Sequence, residues 1–342
     1  MSRSVTAAAS AHASPKLLAY LKKEWFMAGL VTAIVVASVY PALGRSGGLL
    51  HLDVLSNAGV ALIFFLTGLG LSMHELRGGL MRWRVHLVVQ LSTYALFPLL
   101  WWGLTGLLGH WLPPDLALGF AYLCALPSTV SSSVAMTAIA RGNVPAAIFN
   151  ATLSSLLGIV LTPALLALMT HAGGGGLSFL DAVLKIAQLL LVPLVLGQLS
   201  RPLLHRWHQR NKRYVSMVDR GVILLLVLSA FSDSVAAGLW SNHGAGLLLS
   251  ALLGAALILA LVLAISTWLA RRAQFALEDE ITAVFCGSKK TLASGIPMAK
   301  LLFGAHPALG VIVLPIMFYH QLQLIVCSLL AGRYAAAAGR SR

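Results

Sequence analysis

Two adjacent lysines, Lys289 and Lys290, stand in an otherwise apolar stretch of the chain, VFCGSKKTLASGIP (residues 284–297). A charged lysine at the centre of a bilayer costs roughly 2.5–3.5 kcal/mol on insertion scales. No acidic residue follows Glu280, so nothing downstream in the chain can neutralise this pair. Ionisable groups in such positions usually serve a cavity or an ion pathway. We therefore take Ser288, Lys289, Lys290 and Thr291 as candidate site residues.

An internal repeat supplies a second candidate segment. CALPSTVSSSVAMTAIARGNVPA, from Cys124, and CGSKKTLASGIPMAKLLFGAHPA, from Cys286, align at a constant offset. Seven pairs are identical: Cys124/Cys286, Thr129/Thr291, Ser132/Ser294, Met136/Met298, Gly142/Gly304, Pro145/Pro307 and Ala146/Ala308. Both copies carry Gly, Pro and Ser clusters, which predict helices that unwind near residues 127–133 and 288–295. Backbone groups freed at such breaks form ion or substrate sites, which makes Ser131, Ser132 and Ser133 candidates. The alternative is that the small residues only allow close helix packing.

The composition indicates the class of fold that positions these residues. The chain has 342 residues, of which 58% are hydrophobic and 10% are charged. The sequence also contains repeated apolar runs of about 20 residues, which predict a polytopic all-α membrane protein. We predict ten spans at 26–44, 54–73, 86–108, 116–140, 144–170, 182–200, 221–239, 244–270, 281–303 and 307–331. The sequence shows no nucleophile–histidine–acid set, phosphate-binding glycine loop or metal-ligand cluster, so we do not expect an enzyme or a cofactor.

The basic residues set the predicted orientation. Most of the 24 Lys and Arg residues fall in the terminal segments and alternate loops, which makes those segments cytoplasmic and accounts for the net charge of +14 without nucleic acid. We predict a cytoplasmic tail at 1–25, one membrane domain at 26–331 and a cytoplasmic tail at 332–342, in a bacterial-type inner or plasma membrane. Spans 4 and 9 would then cross in opposite directions, as in an inverted-topology repeat.

Four segments carry a family resemblance. They are GLGLSMHELR (68–77), VVQLSTYALFPLL (88–100), ARGNVPAAIFNATLSS (140–155) and LPIMFYHQLQ (314–323). Together they resemble the bile acid:sodium symporter family, in particular its divergent sodium/bile acid cotransporter 7-like branch. The resemblance implies a panel of spans 1, 2, 6 and 7 and a core of spans 3–5 and 8–10, in which broken spans 4 and 9 cross. It also implies a substrate cavity between panel and core, with two sodium ions behind the crossing.

Residue by residue, the resemblance points to Gln90, to Ser132 and Ser133 with Ser131 adjacent, and to Asn150, Thr152 and Ser154. A possible sodium site would use Gln90, Ser132 and Ser133. Each of these residues also has a structural reading as an interhelical hydrogen-bonding or packing residue. His320 and Gln323 make span 10 unusually polar. A structural network is the default for these two, and substrate contact is the alternative.

Span 9 departs from the family pattern. Sodium-coupled members have a glutamate just before a glycine and a glutamine–asparagine pair just after it. Here Phe285 stands in the glutamate position and Lys289–Lys290 in place of the pair. We predict that at least one ammonium replaces the electrostatic role of sodium, attracts an anionic substrate and stabilises freed carbonyl oxygens. Proton coupling stays open. The alternative places both lysines at the cytoplasmic interface.

The sequence therefore predicts a secondary transporter of an organic anion, with altered or absent sodium coupling. A channel and a non-transporting regulator that keeps the carrier fold are the alternatives. The expected partners are a small anionic substrate and the lipid bilayer. The oligomeric state is left open.

Overall fold

The structure is a computed structural model that describes residues 25–45, 47–48, 52–70, 82–108, 112–170, 191–236, 238–304 and 306–340. All regular secondary structure in these ranges is helical. The helices of the first half are α1 (Trp25–Val39), α2 (Leu52–Gly70), α3 (Trp83–Leu91), α4 (Phe97–Leu108), α5 (Pro114–Ala125), α6 (Ser131–Ile139) and α7 (Val144–Thr170). Those of the second half are α8 (described over 191–199), α9 (Arg201–Arg210), α10 (Lys212–Ala236), α11 (Leu239–Arg272), α12 (Leu277–Gly287), α13 (Gly295–Phe303) and α14 (Leu309–Arg340).

Five of the described helical stretches are long and apolar enough to cross a membrane. They are Trp83–Leu107, Val144–Thr170, Lys212–Ala236, Gly244–Arg272 and Leu309–Ala336. The first contains α3 and α4, which a π-helical segment, Ser92–Leu96, joins without a break. These lengths make the chain an all-helical integral membrane protein.

Several helix ends differ from the predicted spans. Helix α10 begins at Lys212, well before the predicted start of span 7, and α14 continues to Arg340 through the predicted C-terminal tail. The segment predicted as a loop after span 6 contains α9. Hydropathy marks only where apolar side chains end, whereas backbone hydrogen bonding continues a helix into polar sequence. Residues 182–190 of predicted span 6 and residues 1–24 of the predicted tail lie outside the described residues.

The two predicted interruptions are confirmed. Helix α5 ends before Pro127, and Leu126 has an extended backbone (φ −67°, ψ 152°), as expected of a residue that precedes proline. Residues 126–130 are not helical, and α6 starts at Ser131. Helix α12 ends at Gly287, and the chain resumes as α13 only at Gly295. Spans 4 and 9 are therefore each divided into two half-helices.

The helices pack in two groups. Helices α1, α2 and α9 pack with α10, whereas α5, α7, α11, α12 and α14 pack among themselves and against α3. Helix α10 also contacts α13 and α14, which joins the groups. Gly68 and Gly197 show how closely α2 and α8 approach. A Cβ on Gly68 would lie 2.0 Å from the Leu194 carbonyl oxygen, and one on Gly197 would lie 2.0 Å from that of Phe65.

The Ala-Arg-Gly-Asn turn between α6 and α7 holds the first turn of α12. Arg141 adopts a left-handed backbone (φ 63°). The Asn143 side chain donates to Asp279 Oδ1 (2.9 Å) and accepts from the Ala146 backbone N–H (3.1 Å), which caps α7. Arg82 completes the cluster with an ion pair to Asp279 (2.8 Å). Asp279, in the first turn of α12, therefore has a structural role.

Candidate functional site

The two interruptions contact each other directly. The Thr291 backbone N–H donates to the Pro127 carbonyl (3.1 Å), and the Ser128 hydroxyl donates to the Cys286 carbonyl (2.6 Å). The Tyr122 hydroxyl donates to the Gly295 carbonyl (2.5 Å). Each break therefore satisfies backbone groups that the other break has freed, which is the condition for leaving a helix open inside a membrane.

Lys290 lies at the centre of this contact and is fully buried. Its ammonium donates to three carbonyl oxygens, those of Thr93 (2.9 Å), Cys124 (3.0 Å) and Leu126 (2.5 Å). It also lies 3.9 Å from the centroid of the Phe97 ring. Cys124 and Leu126 lie at the C-terminal end of α5, where the helix dipole is negative and a cation is favoured.

Lys289 is also buried but has fewer partners. Its ammonium donates to the Ser132 carbonyl in the first turn of α6 (2.8 Å) and lies 5.5 Å from the centroid of the Phe285 ring. Both lysines are enclosed by the half-helices, so they are not the solvated interface residues of the alternative. Lys290 therefore binds carbonyl oxygens at the first break, whereas the Ser132 carbonyl that Lys289 binds lies within α6.

Side chains of α14 bind the backbone of the second break. The Tyr319 hydroxyl donates to the Ser288 carbonyl (2.6 Å). Gln323 accepts from the Lys290 backbone N–H (2.9 Å) and donates to the Lys290 carbonyl (2.8 Å), while His320 Nδ1 lies 2.9 Å from its amide nitrogen. The structural network that was the default reading of His320 and Gln323 is present.

A second polar group joins α3 to α7. Gln90 Nε2 donates to the Asn150 carbonyl (3.1 Å), and Asn150 Nδ2 lies 2.9 Å from His86 Nδ1. Gln90 Oε1 is buried and has no hydrogen-bond partner among the described residues. Ser154 accepts the Ser128 backbone N–H at its hydroxyl (3.0 Å), and its carbonyl accepts the Tyr94 hydroxyl. Of these candidate residues, Ser154 contacts the first break directly, through Ser128.

The three serines of α6 point in different directions. Ser133 is buried, and its hydroxyl lies 3.4 Å from the Phe285 carbonyl. The Ser132 hydroxyl faces that of Thr129 (3.5 Å). Ser131 is exposed to a cavity. A helical rotation of 100° per residue separates them, so consecutive serines cannot share one role.

That cavity has a volume of about 350 Å³ and lies between the two helix groups. One wall consists of Ile63, Phe64, Thr67, Gly70, Leu194 and Asp219; the other consists of Thr129, Val130, Ser131, Ile148, Thr152, Ser155, Leu156, Ile159, Thr291, Ala293, Ser294 and Met298. Of the residues predicted from the sequence, Ser131, Thr152 and Thr291 line it. Neither Lys289 nor Lys290 does so, which corrects the expectation that they stand beside the cavity.

Asp219 and Ser294 are cavity residues that the site prediction missed. Asp219 Oδ1 is buried and has no hydrogen-bond partner in the part of the chain that the structure describes. It precedes the predicted span 7, so it read as part of a cytoplasmic loop. Only the early start of α10 brings its carboxylate to the cavity. Ser294 could have been found from the repeat, in which it matches Ser132.

The chain matches known proteins over nearly its whole length. The SBF-like CPA transporter family matches residues 24–336. An uncharacterised protein of Pseudomonas aeruginosa is 47% identical over 310 residues, which cover 91% of this chain and 92% of that one. Escherichia coli YfeH, named as a symporter, is 45% identical over 314 residues (90% and 92%). The rat sodium/bile acid cotransporter 7 is 34% identical over 322 residues (92% and 93%).

These matches agree with the resemblance drawn from the four sequence segments, and they indicate a membrane transporter rather than an enzyme. By extent and identity, the chain belongs to the SBF-like CPA transporter family.

Proposed function

We propose that the protein is a secondary active transporter of an organic anion that does not use sodium as its coupling ion. The proposal includes the ten-span, inverted-repeat topology predicted from the sequence, with both termini cytoplasmic. The observation that carries it is the different environment of the four half-helix ends. The C-terminal ends of α5 and α12 contact the Lys290 ammonium and the Ser128 hydroxyl, respectively. The N-terminal ends of α6 and α13 line the cavity.

The cavity favours an anionic group at one position. Val130 and Ser131 at the N-terminus of α6, and Ala293 and Ser294 at the N-terminus of α13, line the same space. Helix N-termini carry a positive partial charge and free N–H groups, which bind anions. The hydroxyl groups of Thr129, Ser131, Thr291 and Ser294 add donors. In transporters with broken helices, substrate carboxylates bind at such ends.

The oxygen atoms at the contact of the two breaks are poorly suited to coordinate sodium. A sodium ion needs several oxygen ligands, but the carbonyls of Thr93, Cys124 and Leu126 already accept from Lys290. A second cation there would be repelled by two ammonium groups. Gln90 Oε1 and Ser92 Oγ lack hydrogen-bond partners among the described residues, but two neutral oxygens are too few ligands. A permanently bound cation stabilises the breaks in every state, which removes the need for sodium to enter and leave.

Asp219 gives the cavity a second, acidic position. A carboxylate there would repel an anionic group, so we infer that the substrate presents a hydrogen-bond donor or an apolar portion to this wall. Ile63, Phe64 and Leu194 beside it are apolar. The proposed substrate is therefore an acid with an apolar body. The name of the rat relative, a bile acid cotransporter, makes a bile acid the first compound to test.

Uptake into liposomes that contain the purified protein tests this function. A labelled bile acid and a panel of small carboxylic acids are offered with sodium outside, with choline in its place, and with a proton gradient. We expect concentrative uptake of at least one acid at the same rate in sodium and in choline. A strict requirement for sodium would contradict the sodium-independent mechanism.

A matched pair of variants tests the anion position. Aspartate is a favourable N-cap residue, so Ser294→Asp should fold, but its carboxylate would occupy the place of the substrate anion. We expect this variant to lose uptake and Ser294→Asn, which is similar in size and neutral, to keep it. Equal uptake by both variants would show that the substrate anion does not bind at this position.

A further inference from the structure

A second large cavity lies outside the transport site, on the outer surface of the helix bundle. It is a cleft of about 710 Å³ between the end of α11 and the C-terminal part of α14. Its lining consists of Leu263, Ala264, Thr267, Trp268, Arg271, Arg272, Val326, Leu329, Leu330 and Arg333. None of these residues lines the cavity between the two helix groups. The cleft therefore needs its own explanation.

The walls of the cleft are suited to acyl chains. Leu329 is 66% exposed and Trp268 is 57% exposed, although both belong to helices that cross the membrane. Exposed apolar side chains on such helices face lipid. Helix α11 is long enough to carry its end to the membrane surface: 29 residues from Gly244 at about 1.5 Å per residue span roughly 44 Å.

The mouth of the cleft is basic. Arg271, Arg272 and Arg333 all line it and are exposed. Arg271 is partly neutralised, because its Nε donates to Glu280 (3.2 Å), which also accepts from the Tyr334 hydroxyl. The Arg272 guanidinium lies 5.7 Å from the Trp268 ring centroid, an arrangement that holds the aromatic ring and the cation at one level.

We propose that this cleft binds an anionic phospholipid, with the phosphate at Arg272 and Arg333 and an acyl chain along Leu329 and Val326. The basic mouth of the cleft suits the headgroup of such a lipid, and its apolar walls suit an acyl tail. Trp268 is the kind of residue that lies at the membrane interface. Charge complementarity distinguishes this occupant from a zwitterionic lipid. The apolar walls distinguish it from a soluble anion. The inference does not depend on the proposed transport function.

Native mass spectrometry of the whole protein, delipidated in a neutral detergent, tests the site. Dioleoyl phosphatidylglycerol and dioleoyl phosphatidylcholine are titrated into the wild type, the double variant Arg272→Gln/Arg333→Gln and the control Arg206→Gln/Arg210→Gln. The control removes the same charge from exposed residues of α9 that do not line the cleft. Each arginine near a membrane surface is worth roughly fivefold in affinity for anionic lipid, so the cleft variant should bind phosphatidylglycerol roughly 25-fold more weakly.

The expected result is tight binding of one phosphatidylglycerol per chain, lost in the cleft variant and retained in the control. Equal loss in both double variants would show a general surface charge effect and overturn the site. Equal binding of the two lipids, competition by soluble glycerol phosphate at the same concentration, or a dimer of the chain in place of bound lipid would also overturn it. Because lipid binding is read without substrate, failure here leaves the transport proposal unaffected.

Discussion

Replacing Lys290 by methionine tests the role of the buried ammonium most directly. Methionine has a similar length and fits an apolar site, so the change mainly removes the charge and three hydrogen bonds. The carbonyl oxygens of Thr93, Cys124 and Leu126 would be left without this donor. An unsatisfied buried acceptor costs roughly 1–3 kcal/mol, so three cost roughly 3–9 kcal/mol.

Relief of the buried charge offsets part of this loss. Placing an ammonium in a low-dielectric interior carries an effective penalty of several kcal/mol, which the methionine does not have. The loss of three hydrogen-bond partners, less this relief, leaves an expected net destabilisation of about 3–5 kcal/mol for Lys290→Met. Lys289→Met removes one hydrogen bond, to the Ser132 carbonyl in the first turn of α6, so we expect a loss of roughly 1–2 kcal/mol.

The assay is the apparent melting temperature of the purified protein in detergent at one fixed scan rate. At roughly 2 °C per kcal/mol, Lys290→Met should melt about 6–10 °C below the wild type and Lys289→Met about 2–4 °C below it. Lys300→Met is the control, since the Lys300 side chain is also buried but has no hydrogen bond among the described residues. If Lys290→Met is as stable as the wild type, or less destabilised than Lys289→Met, the carbonyl-binding role is refuted.

Two further predictions concern contacts around the breaks. Asn143→Ala removes the cap of α7 and a hydrogen bond to Asp279, so it should lower stability by roughly 2–3 kcal/mol. Asn211→Ala, at the turn between α9 and α10, is the control, and an equal loss in both would contradict the assignment. Gly158→Val would place a Cβ 2.7 Å from Pro127, so it should displace the first break and abolish uptake even in protein that still elutes as a single species. Normal uptake by this variant would show that the close approach is not required.

The sequence predicted the breaks because their causes are local. Pro127 lacks an N–H and forces Leu126 out of the helical conformation, and no tertiary contact is needed for that effect. The repeat then identified the second break by its identity with the first. The membrane class followed from composition alone, because a chain this apolar cannot be covered by its polar residues. The family followed from four short segments that the comparisons support.

The orientation of side chains at the breaks was decided only by the tertiary structure. Lys289 and Lys290 are neighbours in an unwound segment, where no helical period fixes a direction, so the sequence could not say whether they face the cavity or the protein. Their hydrogen bonds to carbonyls from α3–α4 and from span 4 turn them inward. Asp219 reaches the cavity for a similar reason: its place depends on how far α10 extends and on what packs against it, which are long-range properties that local sequence does not encode.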